Sequence, residues 1–497
     1  MADCTEEFEL KLLFPQGRFA AIENWMIAKG ASRRQRLQAA YIDTDDFLLA
    51  RSGIALRVRK EGRQWFQTLK ASTSSHLERL EHNVSLVHPG AGFPEWNIEH
   101  HAEHLAGKAL RKVLSGRSVS ELKVKYRTDI YRRCLQVRAR GALLEYALDA
   151  GMILAPHQDG QESSISVCEL EIELLQGQKE AVLSHARNII KQHHAYIDTR
   201  SKSERGFNLA SGIQNSPPLK TKSLELKKLN DVTIATELLN SCLNQILVNA
   251  SEINTGVSYF DEHLHQLRVG MRRLKTAMRF MALRAVFFSE VDLNTLEKVF
   301  AELGYYRDLN FLDEKLTPSL RAVHAPVMHL SKVADLPHPQ TFLKEQKFQL
   351  FLISTLLLIV HLGHLDSTIK LHKPLILQEL NKIHKDTRKI AQHFMSIPDE
   401  DRHKLRKKLK RLRYSLEFFK DLCDRSKYKS YLKKLERVSD CLGNYNDICV
   451  ALDKVDILVE KEANVLFAQG WLRAEQTRVR QESAQALNSF YLEKKVW

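Results

Sequence analysis

The chain has 497 residues, 44% hydrophobic and 27% charged, which excludes a wholly disordered or fibrous protein and leaves room for two to four domains at roughly 100–200 residues each. Lys+Arg number 75 against Asp+Glu 60, a net charge of +15; residues 1–210 hold 30 basic and 26 acidic side chains, so +11 falls in residues 211–497. That excess points to a polyanionic partner, whether nucleic acid, anionic lipid or polyphosphate.

Residues 1–210 alternate in short runs. Glu7-Phe-Glu9-Leu-Lys11-Leu12, Ala55-Leu-Arg57-Val-Arg59 and Glu169-Leu-Glu171-Ile-Glu173-Leu174 each place charges on one strand face and apolar side chains on the other. Thr68 shares its face with Lys70. Helical patterns at Phe19–Lys29 and Lys179–Gln192 complete an α+β half with a dominant antiparallel sheet. One mixed-charge strand face is ordinarily a solvated one. Repeated on several strands of a closing sheet, such faces form a charged lumen that is costly without neutralising ligands. Paired carboxylates suit a hard divalent cation, and Arg and Lys suit phosphate oxygens.

These residues resemble the CYTH superfamily, the triphosphate tunnel metalloenzymes. The resemblance runs in order from Glu7-x-Glu9-x-Lys11 through Tyr41-Ile-Asp43-Thr44, Gly53-Ile-Ala-Leu-Arg57-Val-Arg59, Gln67-Thr-Leu-Lys70, Arg79-x-Glu81, Tyr131-Arg132, Leu148-Asp149 and Cys168-Glu-Leu-Glu171 to Ser201-Lys-Ser-Glu-Arg205-Gly206. It implies an eight-stranded antiparallel β-tunnel with flanking helices, acting on a triphosphate. It also implies phosphate ligands at Lys11, Arg57, Arg59, Lys70, Arg132 and Lys202, with Arg127 beside Lys125 as the alternative to Arg132. Glu7, Glu9, Asp149, Glu169 and Glu171 are the implied ligands for Mg²⁺ or Mn²⁺, and Glu81 is a further candidate. With the phosphate ligands, Glu7 and Glu9 make up the expected catalytic set. Neither a Gly-x-x-x-x-Gly-Lys-Ser/Thr loop nor a Ser/His/Asp or Cys/His arrangement is present, which disfavours P-loop and nucleophilic enzymes. His100 and His104, with His101 and Glu103 nearby, lack a third ligand at readable spacing and are expected to form a polar surface turn.

Ser211-Gly-Ile-Gln-Asn-Ser-Pro-Pro-Leu219 is a linker by composition, and residues 211–227 are assigned to it. The expected domains are 1–210 and 228–497. Beyond the linker the period becomes 3.6, and this half reads as all-helical. It contains a repeat: His265-x-x-Arg268-x-x-x-Arg272-Arg273-x-Lys275 recurs 138 residues on as His403-x-x-Arg406-x-x-x-Lys410-Arg411-x-Arg413. Gly304-Tyr-Tyr-Arg307-Asp308 recurs 139 residues on as Gly443-Asn-Tyr-Asn446-Asp447. Two motifs keeping one offset within a residue indicate a duplicated helical bundle, with repeats at about 228–365 and 366–497. The apolar run Leu350–Val360 is too short for a bilayer span and reads as a core helix.

On a helix stepping 100° per residue, Arg268, Arg272, Lys275 and Arg279 form one stripe, and Leu267, Leu274, Met278 and Met281 form the opposite face. Residues 402–413 hold eight Lys/Arg and no acid. One such helix is usually solvated; two from duplicated halves favour a shared polyanion groove. The motifs resemble the CHAD family, the conserved-histidine α-helical domain. That resemblance implies inorganic polyphosphate binding by His265, Arg268, Arg272, Arg273, Lys275, Arg307, His403, Arg406, Lys410, Arg411 and Arg413.

Seven cysteines without CxxC spacing argue against a disulfide framework, and the acidic N-terminus lacks a secretory pattern. The expectation is therefore a soluble cytoplasmic protein: a metal-dependent inorganic triphosphatase acting on tripolyphosphate, with a polyphosphate-binding helical module. Other tunnel reactions (thiamine or nucleoside triphosphatase, class IV adenylate cyclase) or a non-catalytic polyphosphate-binding protein are the alternatives. No membrane partner is expected, and nucleic acid is disfavoured because the basic helices lack aromatic stacking platforms.

Overall fold

A computed structural model describes residues 6–15, 17–72, 78–87, 90, 92–139, 141–156, 161–221, 231–256, 259–282, 291–326, 337–364, 373–459 and 464–497. Two compact units emerge. The first comprises Met1–Leu219 with Asn244–His263 and Leu343–Val360; the second comprises Lys220–Leu243, Leu264–Phe342 and His361–Trp497.

Period-two alternation in the first unit becomes strands β1 (Glu6–Leu13), β2 (Arg33–Asp43), β3 (Ile54–Glu61), β4 (Gln64–Ser72), β5 (Glu78–Leu86), β6 (Lys123–Ala139), β7 (Ala142–Pro156), β8 (Glu162–Gln176) and the short β9 (Tyr196–Ile197). They pair antiparallel in the order β5-β4-β3-β2-β6-β7-β8-β1-β9. A further β1–β5 ladder, Glu7 opposite Arg79, closes β1–β8 into the expected eight-stranded barrel. Its inward faces carry the charges. The outward faces are also buried, as Phe8, Leu10 and Leu12 on β1 show, because helices cover them: α1 (Phe19–Lys29), α2 (Leu48–Arg51), α3 (Leu105–Val113), α4 (Lys179–His193) and α5 (Lys202–Ala210). The apolar stripe of α4 (Val182, Leu183, Ala186, Ile189, Ile190) is buried, as a surface helix laid on a sheet requires.

The sequence after the linker forms only helices among the described residues: α6 (Asp231–Thr255), α7 (Phe260–Ala282), α8 (Leu293–Phe311), α9 (Thr317–Ala322), α10 (Pro339–Lys344), α11 (Gln346–His364), α12 (Lys373–Gln392), α13 (Asp399–Phe418), α14 (Arg425–Val459) and α15 (Val465–Tyr491). The duplication is visible in their limits. Displaced by 138 residues, α7 falls on residues 398–420, nearly the span of α13, and α8 falls within α14. Leu312, Leu316 and Leu320 pack with Tyr445, Ile448 and Leu452 of α14 and Val465 and Leu472 of α15 in one core of the second unit. α11 contains the run Leu350–Val360 and has the length and apolarity of a membrane span; Phe348, Phe351, Leu352, Ile353 and Thr355 are buried within the protein.

Candidate functional site

Register explains how the barrel assembles its lumen. Asp149 on β7 lies opposite both Arg132 on β6 and Glu169 on β8. One step along, Lys11 on β1 faces Glu171; one further, Glu9, Glu173 and Glu145 line up across β1, β8 and β7. β3, which supplies Arg57 and Arg59, stands four strands from β8 in either direction round the ring. Guanidinium groups therefore face carboxylates across a cavity of about 680 Å³.

The carboxylate wall is closely knit. Asp149, Glu169 and Glu171 bring ligand oxygens within 4.8 Å of one another, and the first two are fully buried. The Lys202 ammonium, in the first turn of α5, touches all three at 2.7, 2.5 and 2.8 Å. Arg132 grips Asp149 through two nitrogens at 2.7 Å and reaches Glu171 at 2.5 Å. Arg205 pairs with Glu169, and Lys11 lies 3.8 Å from it. Burial opposes ionisation of Glu169 and Glu171, yet these cations hold both carboxyls below the usual range. The ammonium marks the point where a cation binds three oxygens at once. An all-oxygen donor set of this charge fits a hard divalent ion.

A second acidic cluster occupies the Glu9 level. Glu7 pairs with Lys70 at 2.7 Å, Lys70 with Glu81 at 2.6 Å, and Glu9 lies 3.9 Å from Arg79. Burial pushes Glu173 up to about 7, against the pull of Lys70 and with Glu9, Glu81 and Glu145 adding to the rise. Burial also raises Glu7, with Lys70 opposing and the hydrogen bond to Glu81 assisting. Carboxylates outnumber cations here, which again suits a divalent ion. The five expected metal ligands are thus divided: Asp149, Glu169 and Glu171 converge, while Glu7 and Glu9 join Glu81, Glu145 and Glu173.

On the facing wall the Nε atoms of Arg57 and Arg59 are buried without a hydrogen-bond partner. Arg57 donates to the Tyr41 hydroxyl at 3.2 Å, and Arg59 pairs with Glu61. Burial and the neighbouring Arg57 push Arg59 down to about 10. Arg132 lines the cavity; Arg127 lies over the Phe93 ring, 5.6 Å from its centroid, and does not line it. Asp43 has a structural task, accepting from the backbone N–H groups of Thr44, Leu49 and Ala50 at 2.8–2.9 Å. His104 caps α3 through Nδ1, stacks on His82, and His82 meets His101 at 2.8 Å.

The second unit holds a cavity of about 720 Å³ between α7, α8, α13 and α14, lined by Arg268, Arg272, Lys275, Arg307, His403, Arg406, Lys410 and Arg411. Arg268 donates to the Phe300 carbonyl at 2.7 Å with its guanidinium 4.2 Å from the centre of that ring. Arg307 binds both Asp447 oxygens at 2.6 Å, and His403 Nδ1 meets Asn446 Oδ1 at 2.6 Å. Burial and crowding by like charges push Arg268 down to about 9 and Arg406 to about 10; Lys410 falls well below its ordinary value for the same reasons. The Nε atoms of Arg272, Arg406 and Arg411 are buried and unpartnered.

Three expected groove residues lie outside this cavity. His265 is exposed on α7, a turn beyond its end, while His263 is buried against Asn249 at 2.9 Å. Arg273 and Arg413 instead flank Glu417, at 2.8 and 3.4 Å. Glu145 and Tyr41 were not among the expected site residues, although strand parity from Asp149 already places Glu145 on the inward face.

Solved structures similar to parts of the chain include the CHAD domain from the plant Ricinus communis (23% identity, 57% of this chain and 99% of that one, TM-score 0.42). A putative adenylate cyclase from Bacillus halodurans is another (23%, 37% and 88%, 0.26), as is a putative adenylyl cyclase from Hippeastrum with a dominant triphosphatase activity (18%, 42% and 96%, 0.27). Family models match a CYTH domain at residues 5–207 and a CHAD domain at residues 237–456, so the chain is a CYTH tunnel domain followed by a CHAD domain.

Proposed function

We propose that the protein is an inorganic triphosphatase that hydrolyses tripolyphosphate inside the barrel, with the helical groove binding inorganic polyphosphate. The observation that carries the reading is the opposition, across one cavity, of the Arg57 and Arg59 guanidinium groups, each with a buried unpartnered Nε, to the lining carboxylates Asp149 and Glu171, with the fully buried Glu169 completing the converging trio. The substrate's phosphoryl oxygens lie in the cavity, held by Arg57 and Arg59 from one wall and by Lys70, Arg132, Lys11 and Lys202 from among the carboxylates. As the terminal phosphoryl group transfers to water, these side chains disperse the charge on its equatorial oxygens and on the departing pyrophosphate. Asp149, Glu169 and Glu171 would hold Mg²⁺ or Mn²⁺, and Glu7 and Glu9, in the second acidic cluster, would offer carboxylates to another such ion. Such an ion supplies Lewis-acid neutralisation and a more acidic bound water.

Among the described residues the groove of the second unit presents clustered cations and no converging trio of carboxylates like that of the barrel, which supports holding a polyanion rather than cleaving it. The deciding experiment is phosphate release from tripolyphosphate, thiamine triphosphate and ATP with Mg²⁺ or Mn²⁺. Preferred turnover of tripolyphosphate supports the reading, whereas preferred turnover of ATP or thiamine triphosphate assigns the tunnel to another reaction.

A further inference from the structure

The barrel's compact unit includes residues 244–263 and 343–360, and these segments reach the connector that meets Lys11 of β1 and leads into Lys202 of α5. The connector leaves α4, pairs through β9 with β1, and enters α5 at Lys202. Four successive backbone donors are accounted for. Ile197 N–H goes to Gln349 Oε1 at 2.9 Å, Asp198 N–H to the Lys11 carbonyl at 3.2 Å, Thr199 N–H to Ser251 Oγ at 3.1 Å, and Arg200 N–H to Asp198 Oδ1 at 3.0 Å. Two of these four acceptors are side chains of α11 and α6, and both Gln349 and Ser251 are buried.

Each acceptor is itself fixed. The Ser251 hydroxyl donates to the Leu247 carbonyl at 2.8 Å, so its lone pairs face Thr199, whose Oγ1 also donates to it at 3.2 Å. Gln349 anchors its amide nitrogen on the Leu343 carbonyl at 2.6 Å. The clamped connector delivers its grip at both ends. The Arg200 carbonyl accepts from Lys11 Nζ at 2.6 Å, and two residues later Lys202 meets Asp149, Glu169 and Glu171.

We infer that Ser251 and Gln349 are positioning residues for the tunnel: by accepting the Thr199 and Ile197 N–H groups they hold the connector that aims Lys11 and Lys202 into the lumen. Without them two buried amides lose their partners, and a buried donor left unsatisfied is expensive enough to move the backbone. Residues 1–210 therefore carry every lumen ligand yet lack the side chains that orient two of them. The catalytic consequence rests on the proposed triphosphatase reading; the positional claim does not.

The test uses the full chain with Ser251→Ala, Gln349→Met, the double variant, and Ser251→Thr, which keeps the acceptor. Amine labelling at alkaline pH, read by mass spectrometry, measures the reactivity of Lys11 and Lys202 against Lys29 and Lys179. Labelling of Lys11 and Lys202 is expected to rise about ten-fold in the double variant, as lost buried hydrogen bonds warrant, and to return towards wild type in Ser251→Thr. The KM for tripolyphosphate is expected to rise in parallel, with a smaller change in kcat. Ile189→Val, which trims the buried face of α4, controls for loss of stability and should leave KM unchanged. Unchanged labelling in a folded double variant overturns the inference, as does an equal KM shift in Ile189→Val. Wild-type chain that fails to turn over tripolyphosphate overturns the reaction assignment alone, and the labelling then decides the positional claim.

Discussion

In the barrel each of the three lumen lysines meets a carboxylate within 4.0 Å, whereas in the helical groove Arg272, Arg406 and Lys410 form no ion pair with a described carboxylate. On the proposed reading both cavities receive phosphate oxygens, but they prepare for them differently. The barrel neutralises itself when empty, so a ligand must displace pairs such as Lys202 with Glu171; a divalent ion and an anion entering together do so at little electrostatic cost. The groove leaves its repulsion standing, and a polyanion relieves it directly. Converging carboxylates thus support metal-assisted chemistry, while a cluster of cations left without acidic partners supports retention.

The sharpest way to break this comparison is to remove divalent metal. Chelation should lower tripolyphosphate turnover by on the order of 10³-fold or more, since the ion contributes several kcal/mol of charge stabilisation. Polyphosphate binding by the groove should persist. Equal loss of both, measured by phosphate release and by calorimetric titration at matched ionic strength, would show that the two cavities do not differ as argued.

Next in size is the loss of one lumen carboxylate. Glu171→Gln or Glu9→Gln should reduce turnover by on the order of 10²-fold, the scale expected when a group stabilising transition-state charge is removed. Near-normal turnover by the Glu9→Gln/Glu171→Gln double variant would remove both acidic clusters from the mechanism.

The two charge regimes also predict stability changes of opposite sign. Lys202→Ala removes the one cation shared by Asp149, Glu169 and Glu171, leaving Arg132 and Arg205 to hold them, and should destabilise the protein by up to about 3–5 kcal/mol, the scale for breaking a buried ionic cluster. Lys410→Gln takes a crowded cation out of the groove and should raise the melting temperature of the ligand-free protein slightly. It should also weaken polyphosphate binding and flatten its salt dependence by about one phosphate contact. Destabilisation by Lys410→Gln would mean that the groove is compensated after all.

What the sequence made legible follows the same division. Local periodicity carries the strand faces, because each inward charge on β1, β3 and β8 repeats every second residue and the register does the rest. Parity also reaches Glu145, two pleats from Asp149. It does not reveal that β1 closes on β5, nor that Glu7 and Glu9 lie at a different level from Asp149, since both depend on pairing between distant strands. The linker composition at residues 211–219 suggested a boundary, yet Ser251 and Gln349 come from helices far beyond it. Nothing in the helical periodicity of α6 or α11 distinguishes them from their polar neighbours. The helical repeat preserved chemistry better than geometry. Arg268 and Arg406 both reach the groove, but Lys275 lines it while its counterpart Arg413 turns to Glu417, and Arg307 binds Asp447 where its counterpart Asn446 binds His403.

That divergence gives the smallest and most discriminating prediction. His403 lines the groove and is held below its ordinary pKa by burial, with Arg406, Lys407 and Lys410 adding to the shift and the Asn446 hydrogen bond opposing it. In the free groove it is therefore neutral at pH 7. A bound polyanion places negative charge beside the ring and raises its pKa. By linkage, affinity must climb as pH falls past the bound-state pKa and level off below the free-state value, which lies under 6.5. A one-unit difference between the two states corresponds to about ten-fold in affinity. The exposed His265, its counterpart in the first repeat, does not line the groove. His403→Gln should flatten the pH dependence of long-chain polyphosphate binding between pH 7 and pH 5, and His265→Gln should leave it intact. If both variants flatten it equally, the histidines act through diffuse charge; if neither does, the pH response belongs elsewhere in the groove and His403 serves only to fix Asn446.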